Sequence, residues 1–193
     1  MRFVLGSLWF LVGLAGGCAL QSGIKPVEYL DESSATTVAA LAEPIEFASG
    51  EATAAARGMT RKRVSFAYLG PVEWDKAGEY KYGLWIHVAA GSNWTPVDIR
   101  SPGGVTLVLD EETRPLQPID APQLGAETYH PVASWGQTAY FELTVDMLQR
   151  MAASRKLDLA VRGTDGRTVS FVPQSDTRAV LGGFLSARSL TGG

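Results

Sequence analysis

The stretch that decides the fold is YKYGLWIHV, residues 80–88. Its even-numbered positions are all aromatic or aliphatic, whereas positions 81, 83, 85 and 87 carry Lys, Gly, Trp and His. Side chains of a β-strand point alternately to its two sides, so the even set is predicted to face a core. The odd set would then face solvent or another layer, and we expect His87 to be half-exposed.

The same period of two recurs on both sides of this stretch. Residues 75–78 (DKAG) and 163–166 (GTDG) look like hairpin turns, each with a glycine where the backbone φ must be positive. The second turn would pair residues 157–161 with residues 169–171. The residues predicted to point inward are Val64, Phe66, Tyr82, Leu84, Ile86, Leu107, Phe141, Leu159 and Phe171.

One helix is predicted, over residues 145–154. Thr144 can cap its first turn, which also carries Asp146, and its apolar residues fall on one arc at 100° per residue. Residues 176–188 are a second candidate helix, although Gly182 and Gly183 lower its helical propensity. We expect residues 44–48 to form a short strand, and residues 34–41 either a helical turn or an extended piece.

These patterns favour a mainly β fold, all-β leaning towards α+β. The predicted architecture is an antiparallel β-sandwich, Ig-like in broad outline, with one amphipathic helix. A parallel sheet is disfavoured because it would need a long helix between most strands.

Composition excludes several classes of protein. The 193 residues include 17 Lys and Arg against 20 Asp and Glu, a net charge of −3. This balance argues against a nucleic-acid partner, which requires an excess of cations. With 46% hydrophobic and 19% charged residues the chain is not disordered throughout. No stretch approaches the roughly 20 apolar residues of a membrane-spanning helix.

The first residues look like an export signal. Arg2 is followed by an apolar run over residues 3–14 and by small residues that lead into Cys18, the only cysteine. The sequence LAGGC at residues 14–18 resembles the lipobox of bacterial lipoproteins, although Ala15 stands where that family most often has leucine. The resemblance implies cleavage before Cys18, a diacylglyceryl thioether on its sulfur and further acylation such as palmitate. An ordinary signal peptide, cleaved near Gly17 or Ala19, is the alternative.

A wider resemblance supports the same compartment. Together with the lipobox, the segments YLD (29–31), TTV (36–38), PIEFA (44–48), LGPVE (69–73) and YGLW (82–85) are similar to a group of uncharacterised proteobacterial lipoproteins. Ala19 follows the cysteine in place of the aspartate that retains such proteins at the inner membrane. The likeness therefore implies a lipid anchor at the periplasmic face of the outer membrane, and it brings no reaction or cofactor.

Three regions are expected along the chain. Residues 1–17 would be the signal peptide, and residues 18–62 the lipidated N-terminus with a tether or irregular segment. Residues 63–193 would form a single β-rich domain.

Candidate catalytic residues are few. The chain has two histidines, His87 and His130, and no nucleophile elbow, phosphate-binding loop or zinc-protease motif. A hydrolase would have to build its site around His130, with Ser134, Asp120 or Glu127 nearby. Residues 110–112 (DEE) with Asp98 and Asp120 could gather calcium ligands, but their spacing is not that of an EF-hand, and we expect a solvated turn. No cofactor or metal site is therefore expected.

Aromatic residues in loops suggest a contact surface. Trp94 and Trp135 fall in predicted loops, where an exposed indole often marks a binding site, and His130 lies in another loop. Packing at the ends of a sandwich is the plainer interpretation of both tryptophans, and a contact surface is the alternative on which a binding role depends. The sequence thus predicts a membrane-anchored, non-enzymatic binding or assembly module, with an envelope protein or the cell wall as partner. A periplasmic hydrolase around His130 is the alternative.

Overall fold

Most of the described chain forms one antiparallel sheet. The computed structural model describes residues 26–49, 65–89, 97–120, 128–130 and 135–188. Of these, 54% lie in strands and 15% in helices, which confirms the predicted mainly β fold. The strands are β1 (Pro26–Asp31), β2 (Thr36–Leu41), β3 (Ile45–Ser49), β4 (Phe66–Lys76), β5 (Glu79–Ala89), β6 (Val105–Leu109), β7 (Glu112–Pro115), β8 (Pro118–Ile119), β9 (Gln137–Glu142), β10 (Leu157–Arg162) and β11 (Thr168–Pro173). The helices are α1 (Val145–Ala153) and α2 (Thr177–Ala187).

The sheet curls until its two ends meet. Its strand order is β7-β6-β10-β11-β3-β4-β5-β9-β8, with the β1–β2 hairpin attached to β4 through β2. The end strands β7 and β8 are consecutive in the chain. Between them, the Leu116 N–H donates to the Val105 carbonyl of β6 at 2.9 Å, and the Gln117 carbonyl accepts from the Glu142 N–H of β9 at 3.1 Å. One segment thus joins both ends, and opposite halves of the sheet face each other as in a sandwich.

The central hairpin β4–β5 has the predicted turn. Lys76 is paired with Glu79, which leaves a two-residue loop of Ala77 and Gly78, both at positive φ (55° and 86°). Two positive φ values in succession define the turn whose twist matches a β-hairpin. The β10–β11 hairpin also forms as predicted, with Leu159 opposite Phe171.

The inner face of the sheet is the side on which Leu84 lies. Six of the residues predicted to point inward have no exposed surface: Leu84, Ile86, Leu107, Phe141, Leu159 and Phe171. Tyr82 is half-buried against them. Phe66 was assigned to the wrong face, because it pairs with Ala89 and therefore shares the side of Trp85 and His87. Val64 lies outside the described residues.

Both helices contribute to the inner core. In α1 the Thr144 hydroxyl accepts from the Met147 N–H at 3.1 Å, which confirms the predicted cap. Leu148 and Met151 of α1 join the same core cluster as Leu181 and Phe184 of α2, and the two helices pack together. The second candidate helix therefore forms, and the fold has two helices where the architecture was predicted with one. In the part of the chain that the structure describes, neither helix is long and apolar enough to cross a membrane.

The region predicted as tether contains part of the domain. Within residues 18–62, β1, β2 and β3 belong to the same sheet, β2 and β3 both pairing with β4. This corrects the predicted boundary at residue 63. In the segment 34–41, residues 36–41 form β2 and are extended, whereas residues 34 and 35 belong to the preceding turn. Residues 44–48 include most of β3, as predicted. Strand β2 shows no alternation of apolar and polar residues, because both of its sides are largely buried. This is why its sequence did not reveal it as part of the domain.

Candidate functional site

The predicted contact residues are placed as follows. Trp135 is 73% exposed, which favours the contact reading of this side chain over the packing reading. His130 is also exposed. Trp94 and Cys18 lie outside the described residues, and so do Ser134 and Glu127. The hydrolase site around His130 and the lipidation of Cys18 therefore stay predictions.

His87 is a core residue, and the expectation that it is half-exposed is wrong. Only 1% of its surface is accessible. One ring nitrogen, Nδ1, lies 2.9 Å from the Thr138 hydroxyl on β9, and the ring stacks on Trp85 with centroids 5.8 Å apart. A side chain at Gly136 would overlap the imidazole, so the backbone beside Trp135 rests directly on this buried ring.

A layer of rings covers the outer face of the sheet, the side opposite Leu84. Along it Phe66, Tyr68, His87, Trp85 and Tyr129 follow one another with centroid separations of 6.5, 6.1, 5.8 and 4.9 Å. Tilted and offset rings at such distances attract each other beyond the area that they bury. We call these five residues the outer aromatic layer. Because of this layer, both sides of β5 are buried from Gly83 to Ala89.

Tyr129 anchors this layer to the backbone. Strand β4 changes partner at Gly70 and Pro71, pairing with β3 before this point and with β2 after it. The Tyr129 hydroxyl fills the gap: it accepts from the Leu41 N–H at 2.9 Å and donates to the Pro71 carbonyl at 3.0 Å. The ring lies against Gly70, where a Cβ would overlap it. Burial raises the pKa of Tyr129, so the phenol stays protonated and able to donate.

A cleft of about 840 Å³ opens where β9 ends and α1 begins. We call it the β5–α1 cleft. Its walls include Trp74, Tyr80, Lys81 and Tyr82 from the central hairpin, Glu142 and Val145 from β9 and α1, and Asp120 beyond β8. This volume lies within the range of ligand-binding clefts. Sequence reasoning missed it because it depends on how far β5 extends beyond β9, which no local pattern records.

The cleft has a rigid apolar wall and a charged rim. Trp74 is 3% exposed, its indole packs over Gly83, and its ring centroid lies 5.8 Å from that of Tyr140. Tyr80 is 55% exposed, and Lys81, Asp120 and Glu142 are exposed too. Two carboxylates against one ammonium group give the rim an excess of negative charge.

Behind the cleft, Glu73 is a buried carboxylate on the inner side of β4. Arg188, at the end of α2, pairs with both Glu73 and Glu28 and so ties the helix to β4 and β1. Burial raises the pKa of the Glu73 carboxyl, and the hydrogen bond with the Tyr82 hydroxyl lowers it. Because a buried charge needs partners, we interpret this group as structural.

The acidic turn at residues 110–112 is also structural. Asp110 Oδ1 accepts from the N–H groups of Arg155 and Lys156 at 3.0 Å each, and Glu112 pairs with Arg114 and Arg150. The turn therefore fastens β6 and β7 to the end of α1. No group of three or more His, Cys, Asp and Glu side chains in the described ranges could hold a metal ion.

The resemblance to proteobacterial lipoproteins rests on the lipobox and on short motifs. Of those motifs, YLD lies in β1, TTV in β2, and LGPVE and YGLW in the central hairpin. No protein-family model, curated protein or solved structure matches this chain. The resemblance therefore stays a prediction.

Proposed function

We propose that the chain is an envelope lipoprotein, exported and lipidated at Cys18, that acts as a non-enzymatic binding or assembly module. Its anchor would hold it at the periplasmic face of the outer membrane. The sequence of residues 1–18 supports the anchor. Two or more acyl chains on Cys18 would bind a membrane far more stably than a single chain does. An envelope protein or the cell wall would be the partner.

The observation that carries the binding role is the exposed indole of Trp135. It is among the few large hydrophobic side chains that the described residues expose, and its neighbour Gly136 rests on the buried His87 ring. An indole has only two rotatable side-chain bonds, so an exposed tryptophan loses little conformational freedom when a partner covers it, and tryptophan is enriched among the residues that dominate binding energy.

Crosslinking in intact cells tests this role. We expect a reproducible partner with the natural protein and its loss with Trp135→Ala or with Trp94→Ala. Leu30→Ala is the matched control, because Leu30 is 60% exposed on β1 and is not part of the proposed surface. Capture that is unchanged by either tryptophan variant would contradict the role of these side chains.

Labelling cells with a clickable fatty acid tests the anchor separately. The natural protein should be labelled and should fractionate with the outer membrane, whereas Cys18→Ser should be unlabelled. Label that survives Cys18→Ser, or its absence from the natural protein, would contradict lipidation.

His130 separates the binding module from the alternative hydrolase. The proposal predicts that His130→Ala leaves partner capture nearly intact. A general base contributes roughly 100- to 10,000-fold to a rate. Turnover of peptidoglycan or of an ester that falls by such a factor in His130→Ala would therefore contradict the proposal and favour the hydrolase.

A further inference from the structure

The first residues of β5 have a strand neighbour on one side only. Strand β5 pairs with β4 over its whole length, from Glu79 to Ala89. Its pairing with β9 covers residues 83–88 and ends where Gly83 lies opposite Glu142. Beyond this pair the Tyr82 carbonyl still accepts from the Leu143 N–H, but no strand in the described part of the chain lies beside residues 79–81 on the β9 side, and the β5–α1 cleft occupies this position.

The hairpin turn determines which backbone groups face the cleft. In a two-residue hairpin the residues that flank the loop exchange both hydrogen bonds, and the next pair exchanges none. Lys76 and Glu79 flank the loop, so the N–H and C=O of Tyr80 point away from β4, as do those of Tyr82. One hydrogen bond agrees with this alternation: the Leu143 N–H donates to the Tyr82 carbonyl at 3.4 Å, and the N–H and C=O of Tyr80 are the next groups along β5 that face the cleft.

The side chains around this edge differ on its two sides. Tyr80 and Tyr82 project to the inner side, near Val145. Lys81 and Glu142 project to the outer side, because Lys81 lies opposite Trp74 and Glu142 opposite Gly83. An extended chain placed here would meet the rings of Tyr80 and Tyr82 with alternate residues and, with the others, the outer side, where Trp74 and the charged rim lie.

We propose that the β5–α1 cleft binds an extended peptide segment of a partner protein, which adds as a short strand to the free edge of β5. The segment alternates apolar with basic residues: the apolar ones pack on Tyr80 and Tyr82, and the basic ones face Asp120 and Glu142. Main-chain hydrogen bonds supply affinity in this mode, and the alternating side chains supply specificity. The site requires neither the lipid anchor nor Trp135, so it can fail while the proposed function stands.

A defined peptide tests the proposal on the intact protein in detergent micelles. The probe is a fluorescein-labelled hexapeptide with the sequence Lys-Val-Lys-Val-Lys-Val, and binding is followed by fluorescence anisotropy. The same sequence with every backbone nitrogen methylated keeps the side chains but cannot donate from its main chain. We expect the methylated peptide to bind at least roughly tenfold more weakly, since a few hydrogen bonds are lost.

Two substitutions at one position isolate the backbone of the protein. Tyr80→Ala and Tyr80→Pro both remove the ring, but only the proline removes the N–H that faces the cleft. Proline is tolerated at a strand edge where its nitrogen faces solvent. We expect Tyr80→Pro to bind the probe about three- to tenfold more weakly than Tyr80→Ala. Circular dichroism checks that both variants fold. If the proline variant does not fold, the comparison of the natural with the methylated peptide decides whether main-chain hydrogen bonds contribute to binding.

Charge is tested with a matched pair of variants. The double variant Asp120→Asn, Glu142→Gln should weaken binding of the probe roughly three- to tenfold at low salt and less at high salt. Glu32→Gln, Glu111→Gln makes the same change of charge at two exposed turns away from the cleft and should change binding less than about twofold.

Three results would overturn the proposal. The first is equal binding of the natural and methylated peptides, and the second is no binding of the probe at millimolar concentration. The third is a combination of two observations: chitotetraose, an oligomer of N-acetylglucosamine, displaces the probe, and the two Tyr80 variants bind the probe equally well. This result would make the cleft a saccharide site.

Discussion

The two faces of the central hairpin are both buried, but by different kinds of side chain. On the inner face Leu84 and Ile86 belong to one cluster with aliphatic residues, with the phenylalanines Phe141 and Phe171, and with buried residues of both helices. On the outer face the rings of the outer aromatic layer pack on one another, and two of them rest on a glycine. The inner face is thus filled by hydrocarbon side chains, whereas the outer face is held by contacts between polar aromatic rings and by their close approach to the backbone.

This difference shows how a residue with no side chain can be part of a core. Gly70 receives the ring of Tyr129, Gly83 that of Trp74, and Gly136 that of His87. A larger residue at any of these positions would push a ring away from the sheet. We therefore expect the inner face to be sensitive to loss of volume and the outer face to its addition.

The largest effect is expected from a truncation on the inner face. Leu84→Ala should lower the free energy of unfolding by about 2–5 kcal/mol, because the variant buries less apolar surface when it folds and leaves a cavity in the native core. Urea unfolding followed by tryptophan fluorescence measures it. Leu30→Ala, on an exposed side chain of β1, is the control and should change stability by less than about 0.5 kcal/mol. A loss at Leu84 as small as in that control would show that the inner face is not a packed core.

On the outer face, adding one methyl group should be harmful. A Cβ at Gly70 would overlap the Tyr129 ring, and we expect Gly70→Ala to cost about 1–3 kcal/mol of stability. Gly182→Ala is the matched control, because Gly182 lies within α2 and a Cβ there would have no neighbour within 4 Å. That change should stabilise the protein by about 0.5–1 kcal/mol. If both substitutions have the same sign, the close approach of Tyr129 does not matter to stability.

The inner face could be predicted from the sequence and the outer face could not. The even positions of residues 80–88 are uniformly apolar, so their period is visible in the sequence alone. The odd positions are Lys, Gly, Trp and His, and this mixture looks like a surface. Trp85 packs against Tyr129, 44 residues further along the chain (129 − 85), and His87 lies beneath Gly136, 49 residues further along (136 − 87). No period within one strand can record such a contact.

The same limit explains what was missed at the candidate sites. The cap of α1 and the turn at Gly78 are local, and the sequence predicted both. The β5–α1 cleft exists because β5 has 11 residues and β9 has 6, and the shorter strand leaves residues 79–81 without a strand neighbour on that side in the described chain. Strand lengths are determined by partners distant in sequence. Lys81 and Glu142 therefore carried no signal that they lie at one site.

A smaller effect is expected when only an oxygen atom is removed from the outer layer. Tyr129→Phe keeps the ring on Gly70 but leaves the Leu41 N–H and the Pro71 carbonyl without the hydroxyl that joins them. We expect a loss of about 1–2 kcal/mol, because buried polar groups without partners are costly. Native-state hydrogen exchange should show a faster rate at the Leu41 amide than in the natural protein. An unchanged rate would mean that this amide has another acceptor.

The smallest effect on stability is expected at Trp135, which is the one tryptophan that the described part of the chain exposes. Trp85 and Trp135 both lie close to His87, Trp85 stacked on its ring and Trp135 next to the glycine that rests on it. Trp85 is 1% exposed, whereas Trp135 is 73% exposed. Trp135→Ala should change the free energy of unfolding by less than about 0.5 kcal/mol, since the indole contributes little to the core. Differential scanning calorimetry measures this change. A binding residue is expected to lose its partner without loss of fold, so a large destabilisation by Trp135→Ala would make the indole a packing residue and remove the support for the proposed binding surface.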